Sequence, residues 1–235
     1  MFAKYVVKRS GKDEGERPFW ISFSDLMTAL MSLFLLVMCV TLLAVTKNQN
    51  VEEQRKIQRE KDITSLMSKI KESSKKWREI KVNESTQRID LGDIVHFDSG
   101  KSDISESGQL FLRSYIPIIL DIYRSEVGKK WIRRIVVEGF TDQDGTYLYN
   151  LNLSLERSKR VVCTLYAQPL ANEIPMNIYD KREIRDLFLV GGYSFNSTKT
   201  SKEASRRVEL KLDFWQLDED HKDMPDMTDK EFGKC

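Results

Sequence analysis

Apolar residues form one continuous run near the N-terminus and an alternating pattern in the C-terminal half of the chain. Residues 19–45 read FWISFSDLMTALMSLFLLVMCVTLLAV, and Asp25 is the only charged residue in this run. As an α-helix the run is about 40 Å long at about 1.5 Å per residue. That length is sufficient to cross the hydrocarbon core of a bilayer, so the pattern predicts a transmembrane helix over 19–45.

A secretory signal peptide is the competing interpretation of this run. Its apolar region is shorter and ends at a small-residue cleavage site. Residues 26–45 carry no charge, and the TKNQ sequence at 46–49 does not resemble a cleavage motif. We therefore expect an uncleaved anchor. Basic residues flank the run on both sides, so the positive-inside rule does not orient it.

Asp25 is the candidate functional residue of the predicted membrane helix. A charge inside a membrane usually faces a helix bundle or a water path. Small and polar residues share its helical face at spacings of three, four and seven: Ser22, Asp25, Thr28, Ala29, Ser32 and Cys39. Such a face suits close helix packing in lipid. The alternative is a boundary residue in the headgroup region, but the polar face favours a partner helix, with Ser22, Thr28 and Ser32 lining the interface or channel.

Residues 46–85 are polar, highly charged and free of proline and glycine. Their sparse apolar residues approach an a/d-like helical stripe: Val51, Ile57, Ile63, Leu66, Met67, Ile70, Trp77 and Ile80. The pattern predicts a helical connector. Whether the stripe pairs two copies of the chain or the helix stays solvated remains open.

The C-terminal half alternates between strand-like and helical segments. The predicted strands are 89–97, 131–140, 184–190 and 206–213, and the predicted helices are 105–127 and 146–166. This predicts an α/β sandwich over 86–214, with one mixed sheet and two main helices. The remaining segments are a basic leader over 1–18 and an acidic tail over 215–235.

The sequence FSDLMTALM at 23–31 resembles the transmembrane signature of MotB-type stator subunits. The resemblance implies that Asp25 binds and releases the ion that drives a motor, and we expect this ion to be a proton. It also implies a homodimer inside a ring of a multi-pass partner. The translocated ion would be the only non-protein component, since no cofactor is implied.

Three further segments resemble an OmpA-type peptidoglycan-binding domain. They are FDSGKS at 97–102, EGFTDQDG at 138–145 with its continuation to residue 161, and RRVE at 206–209. The resemblance implies that Asp142 and Arg157 bind the ligand and that Thr141 and Asn150 orient it. The sequence departs from the pattern at Phe140, where histidine is usual, and at Ser205, where asparagine is common.

The chemistry of Asp142 and Arg157 fits such a ligand independently. Peptidoglycan stems can carry diaminopimelate, which has a free ammonium and a free carboxylate. Asp142 offers an acceptor for the ammonium, and the planar guanidinium of Arg157 can hold a carboxylate bidentately. Without the surrounding motif, a surface ion pair would be the simpler interpretation.

A MotB-like helix, a short connector and an OmpA-like domain together most resemble the ZorB family of Zorya anti-phage defence systems. The partner would then be a ZorA-like ring, or a MotA-like ring if the chain were a flagellar MotB-type stator. A passive envelope tether without ion transport is a third alternative, but it would not need Asp25. Each resemblance implies the bacterial inner membrane, with a cytoplasmic N-terminus and a periplasmic C-terminal domain.

The remaining composition excludes several functions and suggests one covalent bond. A net charge of +2 gives no indication of nucleic-acid binding. Two histidines and three scattered cysteines give little basis for a zinc site or a catalytic triad. We therefore do not expect an enzyme. In an oxidising periplasm Cys163 and Cys235 are candidates for a disulfide. A Cys235–Cys235 link between copies and two free thiols are the alternatives.

Overall fold

The computed structural model describes residues 16–169, 175–219 and 232–233, which belong to two compact units divided between Arg55 and Lys56. Residues 1–15 of the predicted leader and most of the predicted acidic tail lie outside the described residues. The C-terminal unit thus begins at Lys56, whereas the sequence placed the domain boundary at residue 86.

The first unit is dominated by the N-terminal part of helix α1, which spans Glu16–Ser74. From Trp20 through Val45 its side chains are exposed in the single chain. Among the described residues, α1 is the one helix long and apolar enough to cross a membrane, with a mean hydropathy of 2.5 over an 18-residue window. The expectation of a single long apolar N-terminal helix is confirmed.

The C-terminal part of α1 belongs to the core of the second unit. Its apolar stripe is buried, and Leu66, Met67 and Ile70 are fully inaccessible to solvent. Ile63 is 7% exposed, in contrast to Ile57 at 38%. The predicted helix is therefore present, but residues 63–70 are not part of a separate connector. Their apolar face is covered by their own domain and is not available to pair two chains.

The described residues of the second unit form a five-stranded mixed sheet in the order β1-β2-β5-β3-β4. Its strands are β1 Lys81–Asn83, β2 Arg88–Asp90, β3 Ile132–Gly139, β4 Phe188–Gly192 and β5 Val208–Phe214. The β3–β4 pair is parallel and the other pairs are antiparallel. This confirms the predicted fold class of an apolar helix followed by a mixed-sheet α/β domain.

Helices pack on the sheet and enclose the core. They are α2 Glu106–Arg124, α3 Glu126–Trp131, α4 Tyr147–Tyr166, α5 Ile178–Leu187 and α6 Lys202–Ser205. The two main helices of the prediction correspond to α2 and α4, and α2 continues through Pro117. The core joins apolar residues of α2, such as Leu112 and Ile116, to strand residues such as Val137 and Leu210.

Two predicted strands differ from the structure. The strand predicted over 89–97 ends at Asp90, because the chain turns at Gly92 with a φ of +62° and continues as a 3-10 helix, Gly92–Val95. A Cβ at Gly92 would overlap the carbonyl oxygen of Glu79. The strand predicted over 184–190 is shifted, because α5 continues to Leu187 and strand pairing begins only at Phe188.

Candidate functional site

The candidate site lies where β3 ends against α4. A Cβ at Gly139, the last residue of β3, would overlap the carbonyl oxygen of Ser154 on α4. The backbone N–H of Ser194, just after β4, donates to Ser154 Oγ at 3.1 Å. Glycine at 139 is thus required for α4 to pack directly on the sheet, and this contact fixes the start of the following loop.

The loop after β3 is held from both sides by backbone hydrogen bonds. Phe140 N–H donates to the Arg207 carbonyl at 3.0 Å, and Thr141 N–H donates to the Ser194 carbonyl at 3.0 Å. Phe140 replaces the expected histidine and is buried under Arg207, whose guanidinium carbon lies 4.2 Å from the ring centroid. The departure from the motif is therefore accommodated as a packing residue.

Asn150 of α4 closes the same loop. Its Nδ2 donates to the carbonyls of Asp144 at 2.8 Å and Thr146 at 3.2 Å. Its Oδ1 is buried and accepts no hydrogen bond from the described residues, and the same holds for the buried Oγ1 of Thr141. Buried polar atoms usually have partners. Two of the predicted site residues therefore offer unused acceptors, which a ligand ammonium or water is suited to fill.

Asp142 is the acidic residue of the site. It is 6% exposed, and its Oδ1 accepts from the Asp144 N–H at 3.1 Å. Its Oδ2 accepts from Arg206 Nη1 at 3.0 Å, in an ion pair whose side chains are 8% and 12% exposed. The carboxylate is thus largely buried and already has a cationic partner.

Arg157 is the most deeply placed residue of the site. It is fully buried and donates to three backbone carbonyls: from Nε to Lys101 at 3.0 Å, from Nη1 to Phe140 at 2.9 Å and from Nη2 to Asp98 at 3.0 Å. Burial lowers the pKa of Arg157 to about 10, against the opposing effect of the Asp142 carboxylate. Arg157 therefore joins α4, the end of β3 and the loop over 98–101.

The structure brings the four predicted site residues together around one loop, and Asp142 and Arg157 do not pair with each other. Within the described chain, the hydrogen-bonded partner of Asp142 is Arg206, and Arg157 instead binds carbonyls. A guanidinium has five N–H donors, so one donor on each Nη of Arg157 is not used in these three hydrogen bonds. Arg206 was not predicted as a site residue, although it begins the RRVE segment that carried the resemblance.

The polar residues of the membrane helix bond mainly to their own backbone. Thr28 Oγ1 donates to the Asp25 carbonyl at 2.8 Å, and Ser32 Oγ donates to the Thr28 carbonyl at 2.8 Å. Since α1 is helical throughout, spacings of three and four residues place these side chains beside Asp25 on one face. The roles of Asp25, Ser22, Thr28 and Ser32 remain predictions.

The described cysteines differ in state. Cys163 on α4 is disulfide-bonded, whereas Cys39 is exposed and free within the described residues. Cys235 lies outside the described residues, so the Cys163–Cys235 pairing remains a prediction. The Phe232 ring lies 5.1 Å from the Tyr166 ring, which places this part of the tail near the C-terminal end of α4.

Over the described ranges, no cluster of three or more His, Cys, Asp or Glu side chains suits a metal ion.

Comparison with known proteins finds a family model for the N-terminal part and a relative over nearly the whole chain. Residues 5–54 match a family model described as the membrane MotB of the proton-channel complex MotA/MotB. The Zorya protein ZorB of Escherichia coli O139:H28 is 42% identical over 233 residues, which are 97% of this chain and 95% of that protein.

Solved structures similar to the chain include envelope domains. The OmpA-like domain of FopA1 from Francisella tularensis is 18% identical, with a TM-score of 0.37 over 58% of this chain and 82% of that one. The cell wall anchor of the type VI secretion system from Pseudomonas aeruginosa is 18% identical, with a TM-score of 0.41 over 64% of this chain and 97% of that one. A periplasmic domain of MotB is 17% identical, with a TM-score of 0.39 over 56% and 65% of the two chains.

Proposed function

The chain belongs to the ZorB family, and from this premise we propose that it is the wall-anchored stator subunit of a proton-driven motor in anti-phage defence. In this proposal Asp25 carries the proton and the C-terminal domain holds peptidoglycan. The role is mechanical and non-enzymatic. The observation that carries it is the single carboxylate at Asp25 within an exposed apolar helix segment.

The placement of Asp25 supports ion transport. An intramembrane carboxylate costs a few kcal/mol, so it persists where it has a function or a partner. The hydroxyls of Thr28 and Ser32 bond to their own helix and leave a face of small side chains. Two copies inside a ring of a multi-pass, ZorA-like partner would pack against that face. One charge moved across 100 mV supplies about 2.3 kcal/mol, which would turn the ring.

The geometry around Asp142 supports wall binding. Its carboxylate can accept an ammonium, together with the unused acceptors on Thr141 and Asn150. Arg157 retains two N–H donors for a carboxylate while its other donors hold the loops of the site. Diaminopimelate presents both charges on one carbon, and charged hydrogen bonds are the stronger ones. The C-terminal domain would then lie in the periplasm, with the N-terminus in the cytoplasm.

A pair of variants separates the two activities. Asp25→Asn keeps size and hydrogen bonding but cannot cycle a proton, so we expect it to abolish phage protection and to leave binding to purified sacculi intact. Asp142→Asn removes the charge that holds the ammonium, so we expect sacculus binding and protection both to be lost. The measurements are plaque counts and cosedimentation of the detergent-solubilised full-length chain.

The two results test different parts of the proposal. Protection by Asp25→Asn at the wild-type level would exclude the ion-carrier role. Cosedimentation of Asp142→Asn at the wild-type level would exclude this wall site. Arg157→Lys is the companion variant, because lysine keeps the charge but cannot hold a carboxylate in a planar fork. A flagellar MotB-type role is the second candidate, favoured by the family-model match over residues 5–54, and restored swimming of a stator-deficient strain would support it.

A further inference from the structure

One face of α4 presents exposed side chains at regular intervals. The exposed positions Leu148, Asn152, Leu155 and Lys159 follow one another at spacings of four, three and four residues. This is the spacing at which one helix meets another in a coiled coil. Leu148 is 74% exposed and Leu155 is 41% exposed, so the apolar residues of this face are open to a partner. These four positions are called the α4 seam below.

The apolar surface of the seam continues onto the neighbouring edge of the sheet. In the described sheet β4 is an edge strand, and a Cβ at its last residue, Gly192, would lie 2.6 Å from Leu155 Cγ. Val190 is two residues before Gly192, so it lies on the same face of the sheet, and it is also exposed. Apolar residues grouped in this way mark contact surfaces, whereas single ones do not.

The exposed face of α2 provides a contrast. Leu110 is exposed to a similar extent, at 46%, but the exposed residues three and four positions away are Ser107 and Ser114. A single leucine among serines is an ordinary surface feature. Of the two main helices, α4 is therefore the one whose exposed leucines form a seam.

The direction of the seam suits a second copy of the chain. α4 begins just after the loop of the candidate wall site, at its N-cap Thr146, and runs away from that loop to Tyr166. Two copies that hold the same wall need their sites at the same end, which requires a two-fold axis roughly parallel to α4. A seam along α4 meets this requirement, because such an axis brings the same positions of two parallel helices together.

The residues of the seam are complementary to themselves. Across this axis each position faces its own copy, so leucine meets leucine at 148 and 155. Asn152 donates one Nδ2 hydrogen to Glu156 at 3.0 Å and has a second for the Oδ1 of Asn152 in the second copy. A single asparagine in an apolar seam fixes the register of two helices. Lys159 and Glu156 carry opposite charges at the end of the seam, so each would lie beside a counter-charge of the other copy.

We propose that the α4 seam is the contact surface between the C-terminal domains of two copies of the chain. This inference rests on the two-copy arrangement of the proposed function and adds the surface at which the domains meet. The seam is short, about 17 Å at about 1.5 Å per residue. A short contact is sufficient, because two copies held in one complex have a high effective concentration relative to each other. The two wall sites would then lie side by side.

Cysteine crosslinking in membranes tests this surface in the full-length chain, co-expressed with its multi-pass partner. Leu148→Cys and Leu155→Cys are each placed in a Cys39→Ser background, which removes the exposed free thiol. Mild oxidation should link two copies through position 148 or 155, because the axis brings each position close to itself. Leu110→Cys is the matched control of similar exposure, and we expect a several-fold lower yield of linked chains. Mass spectrometry of the linked peptides identifies the positions joined.

A charge on the seam should separate the copies. Adding Leu155→Lys to the Leu148→Cys chain places two lysines opposite each other, so we expect crosslinking to fall to the level of Leu110→Cys. Leu155→Met keeps an apolar contact of similar volume and should retain crosslinking. Circular dichroism verifies that each variant is folded, as expected for changes at an exposed position.

The inference is overturned by either of two results. Yields for Leu148→Cys and Leu155→Cys no higher than for Leu110→Cys would show that the domains do not meet at the seam. Links from position 155 to the multi-pass partner, in place of a second copy, would assign the seam to that partner. Failure of the two-copy arrangement has a separate signature, since mass photometry of the purified complex would then count one copy of the chain.

Discussion

The apolar part of α1 and the C-terminal unit differ in where their polar side chains find partners. In the membrane helix, Thr28 and Thr41 donate to carbonyls three or four residues earlier in the same helix. In the C-terminal unit, Arg157 reaches a carbonyl 59 residues away in the sequence. In the second region polar side chains therefore bond across the fold, whereas in the first they bond within one helix and the apolar side chains around them are exposed.

Exposed and buried parts of the same apolar stripe both occur along α1. Val51 is 45% exposed, whereas Met67 on the same helix is fully buried. Both residues belong to the apolar stripe of the sequence. Only the part of the stripe from Ile63 onward enters the core, which also contains residues of the sheet and α2. The same periodic pattern is thus exposed in one part of the helix and buried in another.

The largest expected effect comes from a charge in the buried part of this stripe. Met67→Asp would place an unpaired carboxylate in the core, which we expect to destabilise the C-terminal unit by about 5 kcal/mol and to prevent its folding. Val51→Asp is the matched control on the exposed part, and we expect its unfolding midpoint to equal that of the wild type. Thermal unfolding followed by circular dichroism measures both.

A folded Met67→Asp variant would contradict the burial of the stripe. A destabilised Val51→Asp variant would contradict the exposure of the N-terminal part of the stripe, because it would show that residue 51 also has a packing partner. The comparison between the two variants is therefore more informative than either one alone.

Much of the fold follows from local sequence, and the exceptions have identifiable causes. The run over 131–140 and the helix over 146–166 agree closely with β3 and α4, because their apolar periods are clear. The strand predicted over 89–97 contains Gly92, where φ is positive and the Glu79 carbonyl leaves no room for a Cβ, a contact distant enough in sequence to escape a periodicity argument. The burial of residues 63–70 could not be predicted, because an apolar stripe does not reveal what covers it.

The candidate site shows the same limit. The resemblance to OmpA-type domains selected Asp142, Arg157, Thr141 and Asn150, and the structure places them around one loop. The partner of Asp142 was not predicted, because Arg206 is 64 residues away in the sequence and reaches it only through the β5–β3 pairing. The sequence thus selects candidate residues, and tertiary structure decides their pairing.

A smaller effect is expected from the predicted disulfide, which would tie Cys235 to α4 of the C-terminal unit. We expect Cys163 to pair with Cys235 and the bond to contribute about 2–4 kcal/mol in the chain-entropy model. The Phe232–Tyr166 contact at 5.1 Å supports this pairing. Mass spectrometry of a non-reduced digest should give a linked Cys163–Cys235 peptide, and reduction should lower the unfolding temperature.

Two results would exclude that bond. Alkylation of both thiols without prior reduction would show free cysteines, and a Cys235–Cys235 peptide would show a link between copies. Cys39→Ser is the matched control, since Cys39 is free within the described chain, and we expect it to leave the linked peptide unchanged.

A still smaller effect is expected on the membrane helix, where the partners are external. Thr28→Val removes a hydroxyl three residues after Asp25, and Thr41→Val makes the same change about 160° around the helix from Asp25. Interhelical polar contacts in membranes contribute about 1 kcal/mol, so Thr28→Val should weaken copurification with the multi-pass partner about fivefold. Thr41→Val should leave it unchanged. Equal effects of the two variants would mean that the predicted face is not the interface.

The smallest expected effect concerns Asp62, which fixes the buried part of α1 to the rest of its unit. Trp131 Nε1 donates to Asp62 Oδ2 at 2.8 Å, and Gln58 Nε2 donates to Oδ1 at 2.8 Å. The hydrogen bond from Trp131 is the main cause that lowers the pKa of Asp62 below its usual value of 3.8. Since Asp62 is near the surface, we expect its hydrogen bond with Trp131 to contribute less than about 1 kcal/mol to the free energy of unfolding.

The pH dependence of this contribution has a definite sign. A lowered carboxyl pKa stabilises the folded state fully above the unfolded value of 3.8, and this stabilisation is lost as the pH falls through the lower folded value. Asp62→Asn should therefore be less stable than the wild type at neutral pH and equally stable well below pH 3.8. Urea unfolding of residues 56–235 in a double-mutant cycle with Trp131→Phe measures the coupling, because volume effects of the tryptophan change cancel. A coupling free energy that does not decrease on acidification would mean that the bond does not depend on the Asp62 charge, and the attachment of α1 would then rest on its buried apolar face alone.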